Sequence, residues 1–188
     1  MEKVQMRGRI KGLLMEIAPE NRIAKSKKAC QNFIGTDQYD RASVIMVFLS
    51  LPHEVDTTPI ILDAWQKGKT VAVPKVSWQQ RHMIPIELKS LEAGLTIGTY
   101  GLRNPSTGIP VPVEDIDIVV APGLGFDKDG GRIGRGGAYY DRFFGSKKLK
   151  AVKAGLAFSE QVVEEVPMME HDKRLDMLVT DTEVVVIK

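Results

Sequence analysis

The stretch Ala121–Arg142 holds the residue types best suited to binding a phosphate or another anion. It contains seven glycines, and Arg132 and Arg135 lie among them. Backbone N–H groups approach a phosphate closely only where side chains are absent, and the arginines would neutralise its charge. An apolar run at 116–120 precedes the glycines, and a helix is predicted to begin near 138. A strand, a glycine-rich loop and a helix start in this order predict an anion cradle.

The residues of this stretch alone leave two questions undecided. Residues 127–131 (Asp-Lys-Asp-Gly-Gly) have the composition of a hairpin turn, so the loop is either a ligand site or a structural element. Asp141 is either a metal ligand or an ion-pair partner of the adjacent Arg142. Composition does not decide between these alternatives.

The familiar nucleotide-binding motifs do not fit the sequence. Residues 68–70 (Gly-Lys-Thr) resemble the end of a P-loop, but Asp63 stands where that motif needs a glycine, and a strand is predicted to follow. Residues 123–125 lack the third glycine of the dinucleotide fingerprint. Cys30 lies on the inward side of a predicted helix and is expected in the core, and the three histidines have no metal-ligand spacing. Any nucleotide is therefore held in another way.

Helices are predicted from apolar residues at intervals of three and four. This spacing predicts an amphipathic helix over 2–17, on which Lys3 and Arg7 share one face. Pro19 suits the first turn of a second helix over 19–34, with four residues expected to turn inward: Ile23, Cys30, Phe33 and Ile34. Further helices are predicted at 57–68 and 138–144, with a short helical turn at 162–166.

Continuous apolar runs predict strands that are covered on both faces, as in a parallel sheet. The runs that indicate strands lie at 43–49, 70–73, 116–120, 151–158, 177–180 and 183–187. A further run at 83–88 contains Pro85, which predicts an edge strand, and 89–115 is predicted to be irregular. The alternation of strands and helices predicts an α/β fold with a mostly parallel sheet.

Three loops are expected to meet at one edge of this sheet. Ligands of open α/β sheets bind at the carboxyl ends of the strands. The loops that follow predicted strands there are 50–56, 121–137 and 159–174. This arrangement would bring Glu54 and the acidic segment at 159–174 next to the glycines.

The length and composition indicate a single domain and give no sign of a nucleic-acid-binding protein. The 188 residues, 43% hydrophobic, are enough for a single domain over 1–188, and the net charge of +2 is no sign of nucleic-acid binding. One basic run at 147–150 has no recognition motif beside it.

The lone cysteine excludes an internal disulfide, and the chain contains neither a signal-peptide pattern nor an apolar run of the roughly 20 residues that span a bilayer. We expect a soluble cytoplasmic monomer without nucleic-acid or membrane partners.

The glycine-rich stretch resembles a known family signature. Residues 122–141 (Pro-Gly-Leu-Gly-Phe-Asp-Lys-Asp-Gly-Gly-Arg-Ile-Gly-Arg-Gly-Gly-Ala-Tyr-Tyr-Asp) are similar to the signature of 5-formyltetrahydrofolate cyclo-ligases, and 3–7, 48–54, 73–75 and 166–176 also resemble that family. The resemblance implies a three-layer α/β/α fold similar to the ribose-phosphate isomerase and CoA-transferase group. It also implies an ATP-dependent, Mg²⁺-requiring enzyme that converts 5-formyltetrahydrofolate to 5,10-methenyltetrahydrofolate and releases ADP and phosphate.

The resemblance implies roles for individual residues. The residues expected to contact ATP are Lys3, Arg7, Arg132, Gly134, Arg135, Gly136, Gly137, Ala138, Tyr139 and Tyr140. Those expected to contact the reduced folate are Leu49, Glu54, Arg135, Gly136, Gly137 and Tyr139. Arg135 and Tyr139 are expected to act in catalysis, and Asp141 and Asp172 to bind Mg²⁺, with Asp176 as the rival to Asp172.

One position departs from the family pattern. The family usually has glycine before the tyrosine pair, where this chain has Ala138. If that residue has a positive φ, alanine there costs about 1 kcal/mol. The alternative function is therefore a divergent, non-catalytic protein of the same fold that binds a phosphate-containing ligand or has a regulatory role.

Overall fold

The computed structural model describes residues 2–98 and 101–188, which form an α/β fold around one seven-stranded sheet. The helices in these residues are α1 Lys3–Glu16, α2 Pro19–Ile34, α3 Asp37–Arg41, α4 Thr58–Gln66 and α5 Tyr139–Phe144. The strands in these residues are β1 Val44–Val47, β2 Thr70–Ser77, β3 His82–Glu87, β4 Leu95–Ile97, β5 Arg103–Pro105, β6 Ile118–Ala121, β7 Gly125–Phe126, β8 Arg132–Ile133, β9 Val152–Leu156, β10 Met177–Val179 and β11 Val184–Val186.

The central sheet is mostly parallel, as the continuous apolar runs predict. Its strand order is β11-β10-β9-β6-β1-β2-β3, in which the five inner strands are parallel and the two edge strands are antiparallel. The prediction of an edge strand at Pro85 is confirmed, because β3 pairs only with β2 in this sheet and Pro85 lies opposite Pro74. Proline has no N–H for a second neighbour, so it suits this edge.

Helices cover both faces of the sheet and produce the expected three layers. On one face, Ile10 of α1, Phe33 of α2 and Ile60 of α4 pack into one core with the alternate strand residues Ile45 and Val47. On the other face, the intervening residues such as Met46 and Val119 form a second core with Phe143 and Phe144 of α5. Successive side chains of each strand therefore pack alternately into the two cores.

The predictions for the region of α2 and α3 differ from the structure in two places. The short helix α3 is missing from the prediction, and the Thr36 side chain caps it by accepting a hydrogen bond from the Tyr39 N–H at 3.2 Å. The expected inward orientation of Ile23 is wrong, because its side chain is 73% exposed. The buried residues of α2 begin at Ser26, so Ile23, which lies nearer the start of the helix, is outside the buried face.

Two connecting segments also differ from their predicted structure. Part of the region predicted to be irregular at 89–115 forms an antiparallel hairpin of β4 and β5, and residues 99 and 100 of that region lie outside the described residues. The helical turn predicted at 162–166 is wrong. A 3₁₀ turn lies earlier, at Ser159–Gln161, and the N–H of Val163 instead donates to the Phe126 carbonyl at 2.8 Å.

The sheet determines where a site can form. Because β1, β6, β9 and β10 are parallel, their carboxyl ends lie along one edge, where the loops after β1 and β6 begin. Across the described residues, every helix is too short or too polar to span a lipid bilayer.

Candidate functional site

The first half of the glycine-rich stretch is a structural turn between β7 and β8. The Asp127 side chain is buried in this turn, and its carboxylate accepts hydrogen bonds from the N–H groups of Asp129 (3.0 Å), Gly131 (2.7 Å) and Val166 (2.8 Å). The hairpin alternative is therefore confirmed for 127–131. Residues 135–137 are exposed, so the second half of the stretch is open to a ligand, whereas 128 and 129 are the exposed tip of the turn.

A buried arginine fixes the position of Asp141. The Arg132 side chain is only 4% exposed, and its Nη2 donates to Asp141 Oδ2 at 3.0 Å while its Nη1 donates to the Pro122 carbonyl at 3.1 Å. Its guanidinium also lies 5.4 Å from the centre of the Tyr140 ring. The ion-pair partner of Asp141 is thus Arg132, and the alternative pairing with Arg142 is wrong.

The two predicted cations of α1 lie beside the loop. Lys3 forms an ion pair with Asp172, and Arg7 Nε donates to the Gly134 carbonyl at 2.9 Å. The two residues are one helical turn apart, so both reach the same side, as their spacing predicts. Lys3 is also the first residue of α1, where the helix dipole favours an anion.

Glu54 joins the loop after β1 to the glycine loop. Its Oε1 accepts hydrogen bonds from Arg135 Nε at 3.2 Å and Nη2 at 3.1 Å, and its Oε2 accepts from the Leu51 N–H at 2.9 Å. The Glu54 side chain is only 8% exposed, whereas that of Arg135 is 42% exposed. Leu49, an expected contact of the reduced folate, is buried just before this loop.

Asp141 contacts the backbone directly after Asp172. Asp141 Oδ1 accepts a hydrogen bond at 3.2 Å from the N–H of Lys173, the residue after Asp172. Asp176 lies instead at the amino end of β10, where it accepts from the N–H of Lys153 at 2.7 Å. Across the described residues, no three His, Cys, Asp or Glu side chains form a metal site by themselves. Mg²⁺ usually takes one or two carboxylates together with phosphate oxygens, so this pair fits it.

The charge state of Asp172 follows from its neighbours. Burial would by itself raise the pKa of its carboxyl group. Hydrogen bonds from Lys3 and from the Met169 N–H, together with the charges of Lys3 and His171, outweigh this effect and hold the pKa below its ordinary value. Asp172 is therefore a carboxylate at neutral pH, the form that binds a metal ion.

The loop enters α5 through residues with left-handed backbone. Ala138 precedes α5 with φ +51° and ψ +26°, so the positive φ expected from the family's glycine is present here. Gly136 has φ +110°, and a Cβ at Gly137 would lie only 2.6 Å from the Tyr139 ring. The chain therefore needs glycine at 136 and 137, while Ala138 adopts a strained conformation.

The surroundings of the two tyrosines were not predicted from the sequence. The Tyr139 ring packs edge-on against Trp78, with centroids 5.5 Å apart, and Arg142 lies 5.0 Å from its centre. Burial, with the charge of Glu54, raises the pKa of Tyr140. No sequence signal connects Trp78 to this loop, because the two meet only through folding.

The geometry thus brings together most of the predicted site residues. Those joined by direct contacts around the glycine loop are Lys3, Arg7, Glu54, Arg132, Gly134, Arg135, Asp141 and Asp172. Each of the carboxylates Glu54, Asp141 and Asp172 pairs with an arginine or a lysine. A neutralised cluster of this kind can exchange its partners for phosphate groups and a metal ion.

Comparison with known proteins gives a consistent result. The model of the 5-formyltetrahydrofolate cyclo-ligase family matches residues 1–181. The chain is 34% identical to the mouse 5-formyltetrahydrofolate cyclo-ligase over 181 residues, which cover 91% of this chain and 89% of the mouse protein. It is 27% identical to the Escherichia coli K12 protein of the same name, with 89% and 94% covered.

Solved structures show the same fold. The 5,10-methenyltetrahydrofolate synthetase of Aquifex aeolicus superposes with a TM-score of 0.86 at 30% identity, over 100% of this chain and 94% of that protein. The synthetase of Mycoplasma pneumoniae superposes with a TM-score of 0.79 at 21% identity, over 96% and 99% of the two chains. At that lower identity the similarity concerns the fold alone.

Proposed function

This chain belongs to the 5-formyltetrahydrofolate cyclo-ligase family, and we propose that it converts 5-formyltetrahydrofolate to 5,10-methenyltetrahydrofolate, using ATP and releasing ADP and phosphate. The observation that carries this proposal is the set of three cation–carboxylate pairs around the exposed half of the glycine loop. Such a set offers cations for phosphates and carboxylates for a metal ion within one small region.

The nucleotide phosphates are proposed to bind between α1 and residues 134–137. Lys3 and Arg7 provide charge from the helix, Arg135 provides it from the loop, and the exposed glycines leave the backbone N–H groups accessible. Arg132 is almost fully buried, so it supports this site mainly by holding Asp141. Ala138 and Tyr140 complete the predicted nucleotide segment.

Asp141 and Asp172 are the proposed Mg²⁺ ligands. Both are carboxylates, and Asp141 accepts a hydrogen bond from the N–H of Lys173, the residue after Asp172. Each also pairs with a cation that phosphates attract. When bound, Mg²⁺ would neutralise the phosphate charge that develops during transfer. The remote position of Asp176 favours Asp172 as the second carboxylate.

The reduced folate is proposed to lie on the other side of Arg135. Glu54 offers carboxylate oxygens to the pterin, Tyr139 offers a flat ring, and Leu49 lies close behind this loop. Gly136 and Gly137 allow both substrates to approach the same backbone. Arg135 lies between the two proposed ligands, because it contacts Glu54 and belongs to the phosphate loop.

The chemistry needs charge neutralisation more than a strong base. The formyl oxygen attacks the γ-phosphorus and ADP leaves; N10 then attacks the formyl carbon, loses its proton, and phosphate departs with that oxygen. Arg135 is placed to neutralise negative charge on the transferred and then departing phosphate. Tyr139 is proposed to keep the formyl group and N10 aligned for ring closure.

A direct assay tests this function. Purified protein is mixed with Mg²⁺, ATP and 5-formyltetrahydrofolate, and the absorbance of methenyltetrahydrofolate is followed. We expect a signal that requires both ATP and folate, with one ADP formed per product. A folded protein that gives no folate-dependent signal would contradict the proposal.

We also propose that the protein is a cytoplasmic monomer. Cys30, the one cysteine of the chain, is buried and unpaired, which suits a reducing compartment. The monomeric state can be measured by light scattering of the purified protein.

A further inference from the structure

Arg142 links two segments that are far apart in the sequence. Its Nε donates to the carbonyl of Arg81, in the turn between β2 and β3, at 2.6 Å. Its Nη2 donates to the carbonyl of Gly137, in the exposed half of the glycine loop, at 2.7 Å. The planar guanidinium can serve both acceptors because its donors point in fixed, separate directions.

The same side chain lies at both strained positions of the backbone. In the described residues, the non-glycine residues with positive φ are Arg81 and Ala138, each at +51°. Arg142 bonds to the carbonyl of Arg81 and to that of Gly137, directly before Ala138. Left-handed non-glycine residues persist only where the surroundings hold them, and they concentrate at ligand-binding loops. The Arg142 side chain therefore contacts the backbone at or directly before both residues, Arg81 and Ala138.

Tyr139 is held by the same arrangement. The Arg142 guanidinium lies 5.0 Å from the centre of its ring, and the Trp78 ring meets it at 85° with centroids 5.5 Å apart. Trp78 and Arg81 belong to the same turn, so this turn contacts the loop through both residues. The orientation of the Tyr139 ring therefore depends on the turn between β2 and β3.

We propose that Arg142 is a positioning residue that clamps residues 134–139 to the turn between β2 and β3, and so holds the glycine loop in its ligand-binding conformation. The proposal rests on the proposed function for the identity of the ligands. Arg142 is not needed to pair with Asp141, because Arg132 does so. Its bonds go to backbone carbonyls, which indicates a role in loop conformation.

Removing the Arg142 side chain should weaken the binding of both substrates. Without the clamp, only a fraction of the molecules hold the loop in its binding-competent conformation. The apparent Kd of each ligand then equals its intrinsic Kd divided by that fraction, so the ligand binds more weakly. For Arg142→Ala we expect KM for ATP and for 5-formyltetrahydrofolate to rise together by about tenfold, the size expected for one hydrogen bond to a charged group. We expect kcat to stay within about twofold, because saturating ligand restores the loop.

Lys69 offers a matched control at the opposite end of the sheet. Its Nζ donates to the carbonyls of Asp40 at 2.9 Å and Ala42 at 2.6 Å, and it lies 5.0 Å from the centre of the Tyr39 ring. Lys69→Ala therefore removes the same kinds of contact without touching the loop. We expect it to lower the melting temperature but to leave both KM values unchanged. Arg142→Lys keeps the charge but not the planar fork, so intermediate KM values are expected.

A second measurement does not depend on catalysis. Amide hydrogen exchange of residues 134–140 in the ligand-free protein should be faster in Arg142→Ala than in wild type, and unchanged in Lys69→Ala. Unchanged exchange and unchanged KM values in Arg142→Ala would overturn the clamp. If wild type shows no turnover but exchange rises as expected, the proposed function fails while the clamp stands.

Discussion

Replacing Ala138 with glycine should stabilise the protein. Ala138 has φ +51°, and an L-residue with a side chain pays about 1–2 kcal/mol for the left-handed conformation. Glycine adopts this conformation without strain, but it gives the unfolded chain more freedom, which offsets about 0.4–1 kcal/mol. The net stabilisation is therefore about 1 kcal/mol, which in a domain of this size raises the melting temperature by roughly 2–4 °C.

Thermal and urea unfolding, followed by circular dichroism, measure this change. The matched control is Ala24→Gly, because Ala24 is exposed within α2 and has helical backbone. Glycine in a helix interior costs about 1 kcal/mol, so the control should lower the melting temperature by a similar amount. The two identical substitutions should thus act with opposite signs, and the urea m-value should stay constant in both.

One outcome would contradict a left-handed backbone at residue 138. If Ala138→Gly leaves stability unchanged or lowers it while Ala24→Gly lowers it as expected, residue 138 does not hold a strained left-handed backbone in solution. The junction between the loop and α5 would then differ from the arrangement described above. The strain that Arg142 is proposed to support would then be absent at this position.

Three further predictions concern the charges and the core. Arg135→Ala should lower kcat/KM by about a hundredfold or more, while Lys147→Ala, an exposed cation near α5, should not change it. Asp172→Asn should raise the Mg²⁺ concentration for half-maximal activity by roughly tenfold or more, and Asp176→Asn should not; equal shifts would contradict the assignment. Burial raises the pKa of the Cys30 thiol to about 12, whereas the unfolded thiol ionises near 9, so stability should fall as the pH rises from about 9 towards 12. Urea unfolding across this range should show a smaller fall in Cys30→Ala.

The architecture could largely be predicted from the sequence. Continuous apolar runs indicated strands buried on both faces, and the structure contains five parallel inner strands where these runs lie. Pro85 indicated an edge strand, and the interval between Lys3 and Arg7 placed both cations on one side of α1. These features depend on local periodicity and on the backbone chemistry of single residues, which are the properties that a sequence expresses directly.

The pairing of side chains at the site was decided only by the tertiary structure. Asp141 had a cation directly beside it in the sequence, yet its partner is the buried Arg132, because the turn at 127–131 brings β8 back beside β7 ahead of α5. Asp172 and Asp176 looked equivalent, but the first lies at the loop and the second at the amino end of β10. The contact of Arg142 with Arg81 joins positions 61 residues apart. Such pairings depend on how separate elements pack, and sequence periodicity carries no information about which distant partner a charged side chain meets.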